Sequence, residues 1–379
     1  MITKIRVRNF KSLDDVEIDN IPRFVCLIGV NGSGKTTFIQ LLTFIRALVR
    51  GEVDKWTIGG KACELKTLTY AGGVKRNLEI EVAFQVEDVG YSWTVAYNLY
   101  EGVLVRETLE REEAETNDRR RVLSFESGVL VVHGEQEFGT RVIPRGAALS
   151  VPIDDVDLRN ARAALSDFEG VGVLDPIAIA EVARPVKGDV EIEENGAKLA
   201  AFVSRLSTDQ KAEYTKVIKG FYADCDSVDV KGSKFGWKKL VFSELKKSLD
   251  ALHMSYGTLR FMVMAALKYS KAPLLYFDEV DNGFNQEYLG KLVDLLRSFS
   301  DKQVLVTTHN VQFLNNLQDD ELRQGVLFFY KDAQHKTHVR RFFAIREMAD
   351  ALQYDAAGSI VSMTDLVELG RRLLLEGGE

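Results

Sequence analysis

The hydrophobic positions of the chain follow two periods, and each change of period marks a predicted element. Residues 2–20 alternate between apolar and polar side chains and predict two strands joined by a short turn. The run Phe24–Ile28 is apolar throughout and predicts a buried strand. Apolar residues at helical spacing then predict a helix that ends near Val49, and a loop follows from Gly51 to Lys66.

The next part of the chain is typical of strands separated by glycines. Alternating patterns predict five strands, over Asn77–Val86, Tyr91–Tyr100, Val103–Leu109, Val122–Phe125 and Val129–His133. Together they predict an antiparallel β-meander. Charges of both signs crowd residues 106–121, which indicates a solvated hairpin tip.

The second half of the chain begins with helical spacing. Residues 154–222 predict three amphipathic helices, and Ser227–Phe242 returns to a strand pattern. A further helix follows residues 254–260. Buried strands are predicted at Pro273–Phe277 and at Val304–Thr308, and strands near residues 326–330 and 338–343 precede C-terminal helices.

The composition is that of an ordinary globular protein, with 46% apolar and 28% charged residues over 379 positions. The net charge of −7 argues against a wholly basic nucleic-acid binder and leaves local basic patches open. The separated cysteines Cys26, Cys63 and Cys225 form neither a disulfide framework nor a zinc pair. The sequence shows no signal peptide and no run of about 18 apolar residues. We therefore expect a cytoplasmic protein without a membrane partner.

The clearest chemical motif is Gly29–Thr36, which fits the phosphate-binding pattern G-x-x-x-x-G-K-[ST] in full. A chance glycine-rich turn would give a similar pattern, but a predicted strand ahead and a helix behind favour the motif. Backbone N–H groups and the helix N-terminus would hold the phosphates of ATP, and Lys35 would reach the β- and γ-phosphates. The Thr36 hydroxyl would bind Mg²⁺. The predicted nucleotide-binding residues of this segment are Asn31, Gly32, Ser33, Gly34, Lys35, Thr36 and Thr37.

A second group of polar residues follows the two buried strands of the C-terminal half. Asp278 and Glu279 end the strand Pro273–Phe277, where Asp278 would bind Mg²⁺ and Glu279 would polarise the attacking water. His309 ends the next strand and would reach the γ-phosphate or that water, although a strand-end histidine is more often structural. Ser255 and Gly257 begin a helix and could bind an anion, but a simple N-cap has the same pattern.

These motifs, in this order, resemble the ABC-type ATPase heads. Residues Ser255–Thr258 match the signature motif, Asp281 matches the D-loop and His309 the switch histidine. The phosphate loop and the opening Arg8–Ser12 resemble the soluble branch with the RecF, SMC and overcoming-lysogenisation-defect (OLD) ATPases. The resemblance covers about residues 1–345, but no Q-loop glutamine occurs around residues 69–73.

The resemblance implies an α/β fold of the P-loop NTPase class. This is an ABC-type head with a mixed central sheet, an antiparallel β-meander and a helical signature subdomain. We assign residues 1–153 to an N-terminal lobe with the Walker A loop and the meander, and residues 154–270 to a helical lobe with the signature. Residues 271–345 would carry Walker B, the D-loop and the switch histidine, and residues 346–379 the C-terminal helices.

The resemblance also implies partners. We expect a homodimer or a higher even-numbered oligomer, in which the signature of one subunit closes on the ATP of the other. OLD nucleases carry a TOPRIM domain with clustered carboxylates, but no Asp-x-Asp follows His309. Residues 155–157 and 224–226 are predicted to be surface acids.

The predicted function is that of an ATPase which controls a separately encoded nuclease or toxin, as in bacterial anti-phage defence. A RecF/SMC-like DNA repair or recombination ATPase would carry the same motifs. A scaffold that holds ATP as a switch and hydrolyses it slowly would also carry these motifs. The opening strands and the signature argue against a transporter subunit. Lysines around Ser227–Phe242 leave DNA as a candidate partner, with a solvated sheet edge as the simpler interpretation.

Overall fold

A computed structural model of the chain describes residues 1–57, 64–112, 119–134, 136–139, 145–180, 190–232, 237–244 and 247–376. Cys63, part of the loop predicted at residues 51–66 and the centre of the predicted charged hairpin tip lie outside these ranges. The chain forms two compact units. Unit 1 comprises Met1–Phe168 and Asp319–Glu379, and unit 2 comprises Glu169–Gln318. In the described part of the chain, no helix combines the length and hydropathy needed to cross a lipid bilayer.

The strands are numbered in chain order. They are β1 Ile2–Arg8, β2 Val16–Ile18, β3 Phe24–Ile28, β4 Asn77–Val86, β5 Val89–Asn98, β6 Val103–Glu112, β7 Arg119–Glu126, β8 Val129–Val132, β9 Gln136–Gly139, β10 Phe168–Val171, β11 Cys225–Gly232, β12 Lys238–Glu244, β13 Lys247–Asp250, β14 Leu274–Phe277, β15 Gln303–Thr307, β16 Val326–Lys331 and β17 Thr337–Arg341.

The α-helices are α1 Lys35–Arg50, α2 Val53–Trp56, α3 Val156–Ser166, α4 Pro176–Ala180, α5 Leu199–Arg205, α6 Thr208–Phe221, α7 Tyr256–Leu267, α8 Leu289–Arg297, α9 Arg346–Ala351, α10 Ala357–Met363 and α11 Leu366–Glu376. Short 3₁₀ segments, such as Leu65–Leu68 and Ala148–Ser150, connect several of them.

The large sheet of unit 1 is an antiparallel meander. Its eight strands lie in the order β2-β1-β4-β5-β6-β7-β8-β9. On β1, alternate residues such as Ile5 and Val7 are buried, and the residues between them are charged. Arg6 pairs with Asp15 at 3.0 Å, and Lys4 pairs with Glu17 on β2 at 2.9 Å. The period-2 pattern therefore separates a core face from a solvated face.

A buried carboxylate fixes a loop to this meander. Glu107 is fully buried and accepts hydrogen bonds from Trp93 Nε1 at 2.8 Å, from Leu149 N at 3.1 Å and from Ala148 N. Burial raises the pKa of the Glu107 carboxyl to about 7. Three donors on one carboxylate hold the 3₁₀ segment Ala148–Ser150 against β6 and β5.

Unit 1 also contains the strand that leads into the phosphate loop. β3 pairs in parallel with β16, with Cys26 opposite Val326, and β16 pairs antiparallel with β17. All five residues of β3 are buried, which explains its unbroken apolar run. α1 packs one face on this sheet, where Phe38 meets Phe329 with ring centroids 5.9 Å apart.

Unit 2 contains a parallel strand pair and a small antiparallel sheet. β14 pairs in parallel with β15, and β10 lies next to β14. α7 is buried over nearly its whole circumference, and Phe261 on it stacks on Phe221 of α6 with centroids 3.8 Å apart. β11, β12 and β13 form the antiparallel sheet, which packs on α5 and α6.

Most predicted elements are present, and the differences have local causes. β10 lies inside the segment predicted to be helical. Its four residues are all buried, and a side chain on Gly170 would overlap the Tyr276 carbonyl on β14. The charges of residues 106–112 and 119–121 lie in β6 and β7, because cross-strand pairs such as Glu112 with Arg119 accommodate them. β9, β13 and the short α2 were not predicted.

Candidate functional site

The predicted phosphate loop connects β3 to α1 in unit 1. Three of its glycines have φ values that L-residues rarely adopt: 140° at Gly29, 74° at Gly32 and 116° at Gly34. Two of them also lack room for a side chain. A Cβ on Gly29 would overlap the carbonyl oxygen of Phe329, and a Cβ on Gly34 would lie 2.5 Å from Thr337 Oγ1. Backbone conformation therefore favours glycine at all three positions, and close packing also requires it at Gly29 and Gly34.

Lys35 begins α1 and turns its side chain back over the loop. Its ammonium donates to the carbonyls of Gly29, at 2.7 Å, and Val30, at 3.2 Å, and the residue is 5% exposed. The cation thus lies beside the helix N-terminus, where phosphate oxygens are favoured. Among the other predicted residues here, Asn31, Gly32 and Thr36 are exposed, Thr37 is half-buried, and Ser33 and Gly34 are buried.

A hydroxyl bridge from two distant segments supports the loop. Thr337 Oγ1 donates to the Ser33 carbonyl at 2.8 Å and lies 2.9 Å from Ser12 Oγ. The backbone N–H of Thr337 also donates to the Ser12 carbonyl at 2.8 Å. Ser12 therefore lies against the phosphate loop.

The neighbouring Lys11 is directed at α1. Its ammonium donates to Gln40 Oε1 at 2.7 Å, and burial lowers its pKa. Gln40 lies one turn beyond Thr36 on the same face of α1. Lys11 therefore adds a second positive charge near the start of this helix.

The segment in which a Q-loop glutamine would be expected is held by Asn9. The Tyr70 N–H donates to Asn9 Oδ1 at 2.9 Å, and Asn9 Nδ2 donates to the carbonyls of Lys75 and Asn77. Tyr70 OH donates to the Gln334 carbonyl at 2.5 Å. Asn9 thus has a structural role, since these side-chain bonds all fix backbone groups.

In unit 2, one hydroxyl positions both carboxylate residues that follow β14. Thr307 Oγ1, at the end of β15, donates to Asp278 Oδ1 at 2.6 Å and accepts the Glu279 N–H at 2.7 Å. Glu279 has a φ of 48°, which is unusual for a non-glycine residue. Its side chain is half exposed, whereas Thr307 is buried. The Glu279 carboxylate is therefore accessible to solvent, whereas the Asp278 carboxylate is held by a hydrogen bond from Thr307.

The predicted D-loop and switch histidine lie beside these carboxylates. Thr308 Oγ1 donates to Asp281 Oδ1 at 2.5 Å, and His309 Nε2 lies 4.0 Å from Glu279 Oε1. Both side chains of the His309–Glu279 pair are about half exposed. The structure therefore brings Asp278, Glu279, Asp281 and His309 together at the carboxyl ends of two adjacent parallel strands, where α/β proteins bind ligands.

The predicted signature begins α7 in the same unit. Ser255 is an exposed N-cap whose Oγ accepts the Thr258 N–H at 3.1 Å. Gly257 is buried, and a Cβ there would overlap the carbonyl oxygen of Gly283 in the D-loop. The two glycines let the signature and the D-loop pack backbone against backbone.

Arg260 connects this helix to the carboxylate segment. It is 1% exposed and donates to the carbonyls of Gly172 at 3.0 Å, Asp278 at 2.5 Å and Glu279 at 3.0 Å. Burial lowers the pKa of its guanidinium. A buried arginine on three carbonyls fixes the backbone on which Asp278 and Glu279 stand.

The side chains present fit ATP and Mg²⁺ chemically. Positive-φ glycines, a helix N-terminus and Lys35 offer N–H donors and positive charge to phosphate oxygens. Thr36 and Asp278 offer the hydroxyl and carboxylate oxygens that Mg²⁺ prefers. Glu279 and His309 carry side chains of the kinds that serve in general acid–base catalysis.

Another polar cluster, in unit 1, is already satisfied by protein groups. His133 Nε2 lies 2.9 Å from Asp155 Oδ2, and Asp157 accepts from Tyr91 OH at 2.7 Å and Arg111 NH1 at 3.1 Å. Asp157 is 6% exposed, so the expectation of a surface acid was wrong for this residue. The cluster fastens α3 to the meander, and its arginine disfavours a cation.

Three positioning residues were not predicted from the sequence. Thr307, Arg260 and Thr337 act through the predicted site residues. Arg260 lies in the motif segment 254–260 but was given no role there. For Thr307 a signal existed: two threonines directly follow a buried strand that neighbours the Asp-Glu strand.

Two family models match the sequence. One, described as an AAA ATPase domain, matches residues 1–116. The other matches residues 141–315 and is described as "AAA domain, putative AbiEii toxin, Type IV TA system". A comparison with curated proteins gave no match.

Solved structures resemble most of the chain. One is an SMC head domain with an extended coiled coil, bound to the C-terminal domain of ScpA, from Pyrococcus furiosus. It is 12% identical, with a TM-score of 0.55, over 93% of this chain and 99% of that one. Another is an SMC head bound to the C-winged helix domain of ScpA, 15% identical with a TM-score of 0.54, over 89% of this chain and 97% of that one.

At such identities the structural likeness establishes the fold alone, and the two family models show similarity to AAA ATPase domains over the residues that they match. The expected fold class, a P-loop NTPase of the ABC head type, is therefore confirmed. The chain thus has the fold of an ABC-type ATPase head, and AAA ATPase family models match it over residues 1–116 and 141–315.

Proposed function

We propose that this ATPase head binds ATP with Mg²⁺ and hydrolyses it to ADP and phosphate. Lys35 and the loop N–H groups hold the phosphates, and Thr36 and Asp278 are the ligands for Mg²⁺. The bound Mg²⁺ would neutralise charge that develops on the phosphates. Glu279 orients and deprotonates the attacking water, and His309 assists at the γ-phosphate.

The observation that carries this proposal is the position of Glu279. Its carboxylate is half exposed, its backbone N–H donates to Thr307 Oγ1, and the carboxylate of its neighbour Asp278 accepts a hydrogen bond from the same hydroxyl. A general base must reach its water, so an accessible carboxylate on a fixed backbone, next to Asp278, suits hydrolysis. His309, 4.0 Å away, is close enough to share that water.

We further propose that ATP drives the closure of a dimer. Ser255 is exposed at the N-terminus of a helix that has twelve residues, and its hydroxyl can turn from Thr258 to a phosphate. By resemblance, the signature of one subunit closes over the γ-phosphate held by the other. Such an arrangement is isologous, so two sites close together around a two-fold axis. ATP then favours the closed pair only through its higher affinity for that state.

The closed dimer would control a separately encoded effector, a nuclease or a toxin, in the cytoplasm of a bacterium that resists phage. Support comes from the model for residues 141–315, whose description names a putative toxin of a type IV toxin–antitoxin system. The similar SMC heads carry a bound partner domain, which supports a head that works through protein partners.

The second candidate function is a RecF/SMC-like role on DNA. The likeness to two SMC heads favours it, as do the lysines of β11 and β12. A DNA titration at several salt concentrations distinguishes the two, because each phosphate contact adds to the slope of affinity against salt. A steep slope with Kd in the nanomolar range, stimulated by ATP, would favour the DNA role.

A turnover assay tests the ATPase itself and separates it from an ATP-gated scaffold. Glu279→Gln should bind ATP normally but lose about 10²–10⁴-fold in rate. Lys35→Ala should lose ATP binding. Wild-type turnover in Glu279→Gln would refute the assignment of the base, and absence of turnover in the wild-type protein would support the scaffold.

A further inference from the structure

The two carboxylate oxygens of Glu279 have different neighbours. Oε2 accepts a hydrogen bond from Asn282 Nδ2 at 3.3 Å, and Oε1 lies 4.0 Å from His309 Nε2. Thr307 and Arg260 bind only the backbone N–H and carbonyl of Glu279. Among the residues that the structure describes, no side chain other than Asn282 donates a hydrogen bond to this carboxylate. The orientation of the carboxylate therefore depends on Asn282.

A tight turn brings the Asn282 amide to Glu279. The Asn282 N–H donates to the Glu279 carbonyl at 2.9 Å, and Glu279 itself has a φ of 48°. The next residue, Gly283, has a φ of 84°, and a Cβ there would lie 2.7 Å from Cδ1 of Tyr256 and 3.3 Å from Gly257 N. The turn thus packs closely against the start of α7, so the backbone that carries Asn282 is held in place.

An uncharged amide suits the orientation of a general base better than a cation does. Asn282 is exposed and the Glu279 side chain is half exposed, and at such a position a glutamate samples several rotamers. An amide N–H restrains the torsion angles of the glutamate. It brings no positive charge, which would stabilise the ionised carboxylate and weaken it as a base. One carboxylate oxygen is then occupied, and the other stays free to accept a proton.

We propose that Asn282 is the positioning residue for the general base Glu279. Its amide holds Oε2, so that Oε1 faces His309 and the water that attacks the γ-phosphate. The inference rests on the proposed ATP hydrolysis, in which Glu279 deprotonates that water. The bond of 3.3 Å is slightly longer than is usual for N–H···O, and hydrogen bonds of active sites often tighten only when substrate is bound.

A purely structural role for Asn282 makes a different prediction. Asparagine is common in turns, and a residue that only shapes the turn would affect turnover whether or not the carboxylate of Glu279 is present. A residue that acts through this carboxylate has no further effect once the carboxylate is gone. A double-mutant cycle with Glu279→Gln separates the two roles.

The variants are compared by steady-state and single-turnover phosphate release. Asn282→Ala should lower kcat about tenfold, less than the loss of about 10²-fold or more in Glu279→Gln, because the base remains but is less well oriented. The Kd for ATP should stay the same, since Lys35 and Thr36 are unaltered. In the Glu279→Gln background, Asn282→Ala should change the single-turnover rate less than about twofold. Asn282→Asp keeps the shape and the turn preference but replaces the donor with a carboxylate, so kcat should fall at least as far as in Asn282→Ala.

Asn315 provides the matched control. It is an exposed asparagine of unit 2 whose Nδ2 donates to Gln312 Oε1 at 2.7 Å, with the same three-residue spacing as between Asn282 and Glu279. Asn315→Ala should leave kcat unchanged, and urea unfolding verifies the stability of every variant.

A second measurement requires no turnover. In the nucleotide-free chain with isotopically labelled asparagine, the side-chain amide signals of Asn282 are identified by their loss in Asn282→Asp. These NMR signals should shift in Glu279→Gln, because a charged acceptor is replaced by a neutral one. The signals of Asn315 should not shift.

Three results would overturn the inference and leave the proposed hydrolysis intact. The first is wild-type kcat in Asn282→Ala. The second is an equal loss of rate from Asn282→Ala in the wild-type and Glu279→Gln backgrounds, which would make the residue structural. The third is an unchanged position of the Asn282 amide signals in Glu279→Gln. Absence of turnover in the wild-type chain would instead refute the proposed function, and this inference with it.

Discussion

Thr307→Val offers the sharpest test of how the carboxylates are positioned. Valine keeps the shape and burial of threonine but removes the hydroxyl that donates to Asp278 and accepts from Glu279 N–H. A hydrogen bond to a charged group contributes about 1.5–3 kcal/mol, and a buried N–H left without a partner costs about 1–3 kcal/mol. We expect a loss of about 3 kcal/mol in the free energy of unfolding.

The effect on turnover should be larger than the loss of stability explains. Without Thr307 Oγ1, Glu279 loses the bond that holds its backbone at a φ of 48°. A displacement of about 1 Å can cost about 10²-fold in rate, so kcat should fall by about that factor. The Kd for ATP should change only a few-fold, because Lys35 and Thr36 are unaltered. Steady-state phosphate release and a fluorescent ATP analogue measure the two quantities.

Two controls separate positioning from folding. Thr307→Ser keeps the hydroxyl and should restore most of the rate. Thr43→Val removes another buried hydroxyl, which donates to the Gln40 carbonyl and accepts from Trp56 Nε1, both at 3.0 Å, and touches no predicted site residue. It should lower stability without lowering kcat in the folded protein. Wild-type turnover in Thr307→Val, or an equal loss of rate in Thr43→Val, would refute the positioning role of Thr307.

The same structure leads to four more predictions, on packing, pH, closure and the effector. Gly257→Ala places a methyl group against the Gly283 carbonyl and should cost about 1–3 kcal/mol of stability, measurable by urea unfolding. The pKa of Glu107 is raised from 4.5 to about 7, so the unfolded chain loses this proton first as pH rises. Its contribution to stability should fall by roughly 3 kcal/mol between those pH values and stay lost above them, a decline absent from Glu107→Gln. Ser255→Arg should prevent closure while sparing ATP binding, so a cysteine cross-link between the loop side of one subunit and the signature side of another should form with ATP in Glu279→Gln and not in the Ser255→Arg background. The purified chain should not cleave DNA or RNA with Mg²⁺ or Mn²⁺, and cleavage that survives Lys35→Ala would contradict a separate effector.

The local sequence pattern was sufficient to predict those elements whose structure depends on a single segment. The bounds of β4 and β14, the start of α1 and the glycine loop follow from periodicity, capping and φ requirements within a few residues. The same holds for the carboxylates, because a buried strand that ends in Asp278 and Glu279 places them at a sheet edge.

The rest depends on contacts that a single segment does not contain. β10 was predicted as helix because Phe168 continues the spacing of the preceding helix, and its partner β14 lies about a hundred residues later. Thr307 and Arg260 are ordinary strand and helix residues until folding brings them to Asp278 and Glu279. Their roles are visible only in three-dimensional hydrogen bonds.

The hydrogen bond from the Thr337 hydroxyl to the Ser33 carbonyl has a consequence for the nascent polypeptide on the ribosome. The two residues are 304 positions apart in the sequence. In the same way, β3 cannot pair with β16 until β16 has been synthesised. At about 5–20 residues per second, a ribosome needs about 15–60 s to make the intervening polypeptide. During this interval the glycine loop has been synthesised but lacks the contact from Thr337, so the nucleotide binding that we propose would await the last part of translation. A prematurely terminated product would thus be unable to compete with full-length subunits for ATP.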